Sequence, residues 1–88
     1  MGNLLSEMRK DLRNDQTGLV MEFVLLSNRN VAFGHSKPRF IYYESEHPHL
    51  QLKIDRLQDI GFVIDVTRGN APIYRMTPEF IAALRGTA

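Results

Sequence analysis

Residues 50–84, LQLKIDRLQDIGFVIDVTRGNAPIYRMTPEFIAAL, decide the fold. Leu50, Ile54 and Leu57 recur at i, i+4 and i+7, with Ile60 extending the stripe, while Gln51, Asp55, Gln58 and Asp59 fall on the other side. That rhythm predicts an amphipathic helix over 48–60. Pro48 suits its first turn, where a missing N–H is harmless, and Gly61 suits the position just past its end. Residues 62–67 are rich in Val and Ile and leave the helix as a strand. Arg68-Gly69-Asn70-Ala71-Pro72 is turn chemistry, and Ile73-Tyr74-Arg75-Met76 returns as a second strand. Thr77-Pro78-Glu79 opens a closing helix with a hydroxyl cap, a proline at the first helical position and an acid near the positive helix end. Phe80, Ile81 and Leu84 form its apolar patch and Gly86 stops it.

Toward the N-terminus, Leu5, Met8 and Leu12 predict a first amphipathic helix over 4–12, with Asn3 as its cap and Asn14-Asp15-Gln16 as a break. Asp15 or Thr17 then caps a second helix through about Ser27, whose Leu19, Val20, Phe23, Val24 and Leu26 are nearly all apolar. Residues 31–46 admit two readings. Phe40, Ile41, Tyr42 and Tyr43 have strand propensity, and Ser36 could instead cap a short helix beginning near Pro38. A strand over 39–44 is favoured. Alternation along it leaves one of two pairs exposed, Phe40 with Tyr42 or Ile41 with Tyr43.

Composition narrows the function. Eighty-eight residues make one domain. An apolar fraction of 43% and a charged fraction of 24% are ordinary for a globular chain. There is no cysteine, which removes disulfides, thiolate zinc sites and thiol nucleophiles and points to a reducing compartment, the cytoplasm. The first fifteen residues are too charged for a signal peptide, and the longest apolar runs, four or five residues, are too short to cross a membrane. The net charge of +1 provides no global field. Residues 23–43 and 66–78 are nevertheless free of acids, so a basic face could assemble from them.

The helix with its "LQDIGFV" ending (residues 57–63), the hairpin and "YRMTPEFIAAL" (residues 74–84) together resemble the C-terminal half of bacterial winged-helix domains of the MarR and PadR kind. In those families a recognition helix ends in L-x-x-x-G-hydrophobic, a two-stranded wing follows, and the second strand runs into Y-x-L-T-x-x-G and a closing helix. Met76 stands here for the leucine and Phe80 for the glycine. The resemblance covers 35 of 88 residues. It implies an α+β, winged-helix-like fold of three or four helices with a small antiparallel hairpin, in one domain over 1–88. It further implies a homodimeric, bacterial or phage DNA-binding transcription regulator.

Under that reading His49, Gln51, Lys53 and Arg56 on the recognition helix reach base edges or phosphates, Arg68 and Asn70 at the wing tip touch the backbone or minor groove, and Lys37 and Arg39 neutralise flanking phosphates. Asp55 and Asp59 on the same helix oppose it, and a solvated mixed-charge face is the plainer account. By the same resemblance, Leu5, Met8 and Leu12 of residues 1–14 with Phe80, Ile81 and Leu84 form a dimer contact. The equal alternative is that both helices close the monomer core. The rival function is a winged-helix-derived protein-interaction module, an adaptor or inhibitor that does not bind DNA, with Tyr42 and Tyr43 at its contact surface.

No catalytic motif frames the available Ser, His and Asp residues, and phosphate-binding and dinucleotide glycine loops are lacking, so no enzyme, cofactor or small-molecule substrate is expected. His47-Pro48-His49 beside Glu44 and Glu46 invites a metal reading, but the spacing matches no helical ligand motif, and no metal is expected.

Overall fold

A computed structural model of the chain describes residues 2–30, 39–69 and 71–86. Its elements run α1 (Gly2–Asn14), β1 (Glu22–Leu26), β2 (Phe40–Tyr43), α2 (Leu50–Asp59), β3 (Val63–Asp65), β4 (Ile73–Met76) and α3 (Pro78–Leu84). The four strands form one mixed sheet in the order β2-β1-β4-β3. β1 lies parallel to β2, with Phe23 beside Phe40 and Leu26 beside Tyr43. It lies antiparallel to β4, with Glu22 opposite Arg75 and Phe23 opposite Tyr74. β3 and β4 make the expected antiparallel hairpin.

Alternate residues of a strand face opposite sides of the sheet. One side carries Phe23, Leu25, Tyr42, Val63, Tyr74 and Met76 into the main core. All three helices close over it, α1 through Leu4, Met8 and Leu12, α2 through Leu50, Ile54 and Leu57, and α3 through Phe80 and Leu84. The other side carries a smaller cluster of Val24, Leu26 and Ile73, flanked by Ile41 and Tyr43. Phe23 sits at the centre of the main core. Its ring stacks on Tyr74 at 5.7 Å and meets Tyr42 edge-on at 5.4 Å.

The segment expected as a second helix, from Asp15 or Thr17 to about Ser27, is instead a turn followed by β1. Its apolar run FVLL is uninterrupted because β1 lies inside the sheet and buries both faces, Phe23 and Leu25 on one and Val24 and Leu26 on the other. A short continuous apolar run has no period that separates strand from buried helix. Asp15 holds the turn that delivers the chain to β1. Its carboxylate accepts the Thr17 hydroxyl at 2.7 Å, the Thr17 N–H at 3.1 Å and the Val20 N–H at 3.0 Å. Asn3 lies within α1 rather than capping it. Of the two readings for residues 31–46, Phe40–Tyr43 are strand, and residues 31–38 lie outside the described residues. The tight sequence signals hold: Gly61 takes φ 81° just past α2, and the Thr77 hydroxyl accepts the Phe80 N–H at 3.3 Å with Pro78 at the head of α3. Thr77 also reaches back, its N–H donating to the Phe62 carbonyl at 3.0 Å and its hydroxyl to the same oxygen at 3.1 Å.

Thr77 therefore clamps the end of β4 to the start of β3 and caps α3. Thr77→Ala is expected to cost about 1 kcal/mol of unfolding free energy, the usual loss for an N-cap hydroxyl, and Thr77→Ser to recover most of it in urea denaturation.

The acid side of the stability profile has identifiable carriers. The Thr17 hydroxyl, then the Val20 N–H, hold Asp15 below the ordinary carboxylate range. Thr67 does the same for Asp65. A carboxyl whose folded pKa is depressed adds stability that is full above its unfolded value, about 4, and drains away as pH falls through the folded value. Asp11 works the other way, because burial raises it more than the neighbouring Tyr42 hydroxyl lowers it. The double variant Asp15→Asn/Asp65→Asn is thus expected to be less stable than wild type at neutral pH. It should also lose less in melting temperature between about pH 5 and pH 2, followed by circular dichroism. A parallel decline of the two proteins would contradict this.

Candidate interaction surface

Ion pairs within the chain occupy part of its cationic equipment. Glu22, at the start of β1, lies between the parallel neighbour Arg39 and the antiparallel neighbour Arg75. Arg39 Nε donates to Glu22 Oε1 at 3.1 Å and Arg75 Nη2 to Glu22 Oε2 at 3.1 Å. The Arg39 and Glu22 side chains each retain only 13% of their exposure, so Arg39 is a strand-end brace. Arg29 grips Glu46 through two bonds and lies over the Tyr43 ring, 4.6 Å from its centre.

On α2, Gln51 bridges Asp55 Oδ1 and the Tyr74 hydroxyl, each at 3.0 Å. Lys53 is half-buried, whereas Arg56 and His49 are exposed. His49 precedes the helix in the left-handed region at φ 59°. Arg68 is exposed between β3 and β4, while Lys37 and Asn70 lie outside the described residues. Among the described base readers, Arg39 and Gln51 are thus engaged within the chain and Lys53 is half-buried. Of the described base readers, Arg56 and Arg68 are exposed arginines making no ion pair with another described residue, as are Arg9, Arg13 and Arg85 elsewhere in the chain. The element that precedes α2 is β2, not the helix that braces a reading helix in a helix-turn-helix.

The proposed contact residues are mostly used inside the single chain. Tyr42 is 0% exposed, and Met8, Leu12, Phe80 and Leu84 are buried in the core. Tyr43 is half-buried beneath Arg29 and Leu5 is half-buried beside the core. Alternation on β2 thus leaves neither aromatic pair fully exposed, because clusters on both sides of the sheet receive them.

His47 and His49 diverge. His47 is 4% exposed and its Nε2 meets Glu7 Oε1 at 2.5 Å, tying the β2–α2 connection to α1. Among the described residues no group of three or more His, Asp or Glu side chains is placed to hold a metal ion. None of the described helices is long and apolar enough to cross a membrane.

Among the described residues, an open concavity lies where α1, α2 and α3 meet. A groove of 560 Å³ opens between α1, the end of α2 and α3. Its floor is Leu57, Phe62, Phe80 and Leu84, with Phe62 and Phe80 stacked at 5.0 Å. Leu5 and Ile60 form its walls, and Ile60 is 63% exposed. Arg9, Arg56 and Asp59 stand on the rim. Arg9 Nε donates to the Leu84 carbonyl at 2.7 Å, which pins that guanidinium against the end of α3. Arg9 also borders a second, polar depression of 400 Å³ where Arg13 and Arg85 stand with Asp15. Sequence reading picked out Leu5, Phe80 and Leu84 as contact residues but not Ile60, Phe62 or Arg9. Ile60 extends the apolar stripe in sequence, but the buried stripe of α2 stops at Leu57 and Ile60 stands exposed.

Comparison of the chain with protein-family models, with curated proteins and with solved structures gives no match.

The two classes of arginine are separable by mutation. Arg39→Ala is expected to lower unfolding free energy by about 2 kcal/mol, the scale of a charge-assisted hydrogen bond. Arg68→Ala should stay within about 0.5 kcal/mol of wild type, as exposed substitutions do. Equal effects in urea denaturation would show that Arg39 is not a brace.

Proposed function

We propose that this chain is a protein-interaction module, in which the helix–hairpin–helix of residues 50–84 serves as scaffold for a docking groove rather than as a reader of duplex DNA. The observation that carries the reading is the open apolar groove between α1, α2 and α3, with Ile60 standing 63% exposed on its wall. Large apolar side chains gathered at an open concavity are what partner proteins bury. Supporting it, Arg39 and Gln51 already have partners within the chain, Asp55 and Asp59 share α2 with its cations, and β2 stands where a bracing helix is needed. A cysteine-free adaptor of this size suits a reducing compartment such as the cytoplasm.

A second reading, a winged-helix DNA-binding transcription regulator acting as a homodimer, is favoured by one observation. Arg56 on α2 and Arg68 in the hairpin are exposed and have no ion-pair partner among the described residues.

Fluorescence anisotropy with a random-sequence duplex, from about 50 to about 200 mM salt, decides between them. The interaction-module reading expects no salt-dependent binding at micromolar protein. Micromolar affinity that falls steeply with salt, and that Arg56→Ala and Arg68→Ala each weaken, would overturn it in favour of the DNA-binding reading.

A further inference from the structure

Resting on the interaction-module reading, we infer that the groove takes an acidic amphipathic helical peptide of a partner protein. Apolar side chains on one face of that helix would fill the floor, and its carboxylates would meet the arginines that surround and extend the groove. Three features of the surface specify this occupant.

The floor presents hydrocarbon and aromatic rings only, Leu57, Phe62, Phe80 and Leu84, and the charged groups stand at the rim. A small-molecule site needs polar groups converging on the ligand from within to orient it, and this floor supplies none. A groove between helices that is apolar at the bottom and charged at the edge is the form that accepts an amphipathic helix, anchored at i, i+3 or i+4, and i+7.

The sign of the rim selects the partner's charge. Arg9 and Arg56 stand on the groove against Asp59. Beyond Arg9 the surface continues into the polar depression with Arg13 and Arg85 against Asp15. Four guanidinium groups therefore face two carboxylates. The Asp15 carboxylate, which accepts from Thr17 and Val20, keeps its charge, and the surplus is two guanidinium groups. A path that leaves the groove past Arg9 meets positive charge, on a chain whose overall balance is only +1. Such complementarity sets partner choice and association rate and is weakened by salt.

One of these positive groups is also pre-placed. The Arg9 guanidinium is held by the Leu84 carbonyl at 2.7 Å, so less side-chain freedom is lost when a carboxylate arrives.

The test is a display selection of random 16-residue peptides against the whole protein, with enriched sequences measured by anisotropy. The inference expects peptides of net negative charge with apolar residues at helical spacing. Their binding should weaken about tenfold or more in Ile60→Glu and in Arg13→Glu, the latter difference shrinking as salt is raised. Ile64→Glu, which alters an exposed isoleucine on β3 outside the groove, should bind as wild type. All three positions are at the surface, and unchanged thermal melting establishes that each variant is folded.

Enriched peptides that are basic or neutral would overturn the inference, as would an empty selection. Peptides that keep their affinity in Ile60→Glu would overturn it while leaving an interaction module with its surface elsewhere. Salt-dependent duplex binding would remove the underlying reading as well. A concentration-dependent dimer in sedimentation, abolished by Ile60→Glu, would assign the groove to a second copy of this chain instead.

Discussion

The burial of both faces of β1 is the constraint on which the rest of the molecule depends. Phe23 and Leu25 anchor the face that three helices cover, and Val24 and Leu26 hold the smaller cluster behind it. The strand supplies ladder bonds on both edges, to β2 and to β4. Strand β4 alone carries the C-terminal hairpin into the sheet, so without β1 that hairpin would be two short strands with one apolar face, a unit of marginal stability in water. Glu22 at the head of β1 binds Arg39 and Arg75 from its two neighbours. Register across three strands is thus marked by charge at one end and by the Tyr42–Phe23–Tyr74 ring cluster in the middle.

That dependence explains which parts of the molecule were readable from sequence. Strands β3 and β4 and helices α2 and α3 are specified locally: Leu50, Ile54 and Leu57 set a period, Gly61 ends it, and Thr77 with Pro78 restarts it. Helix α1 is legible for the same reason through Leu12 and Met8. β1 is not, because its stabilising partners are Phe40–Tyr43 and Ile73–Met76, remote in sequence, and nothing within FVLL distinguishes a strand walled in on both sides from a buried helix. The C-terminal half was therefore legible as a unit, while its position beside two further strands was not. A resemblance resting on that half fits the α+β class and the hairpin, and it does not extend to the helix expected before α2.

The candidate site divides along the same line. Arg39 lies in an acid-free window and reads as a phosphate contact, but the acid that occupies it is Glu22, one strand away. Charge counted along the chain differs from charge counted on the surface whenever sheet pairing brings opposite signs together. The same pairing removes Arg75 from the free inventory, and Arg29 is taken by Glu46. Likewise, Met8, Leu12, Phe80 and Leu84 are apolar enough for an interface, and the chain is small enough to need them for its own core.

What remains after those internal pairings is unevenly distributed, and this asymmetry gives the near-neutral protein a directional surface. The sheet arginines Arg39 and Arg75 are paired off near Glu22, whereas Arg9, Arg13, Arg56 and Arg85 border the two concavities on the helical side. The apolar floor and the positive charge coincide because the end of α2 and both ends of α3 meet the flank of α1. α2 stops at Gly61, α3 begins at Pro78, and α1 lies against α3 through the Arg9–Leu84 bond. Where α2 ends and α3 begins beside the middle of α1, the last apolar residues of α2 and its connection are not fully covered, so Ile60 and Phe62 stay partly open to solvent. A packing shortfall of that kind costs a monomer stability unless something else covers it. The arginines around it restrict what can do so to a surface carrying both hydrocarbon and negative charge.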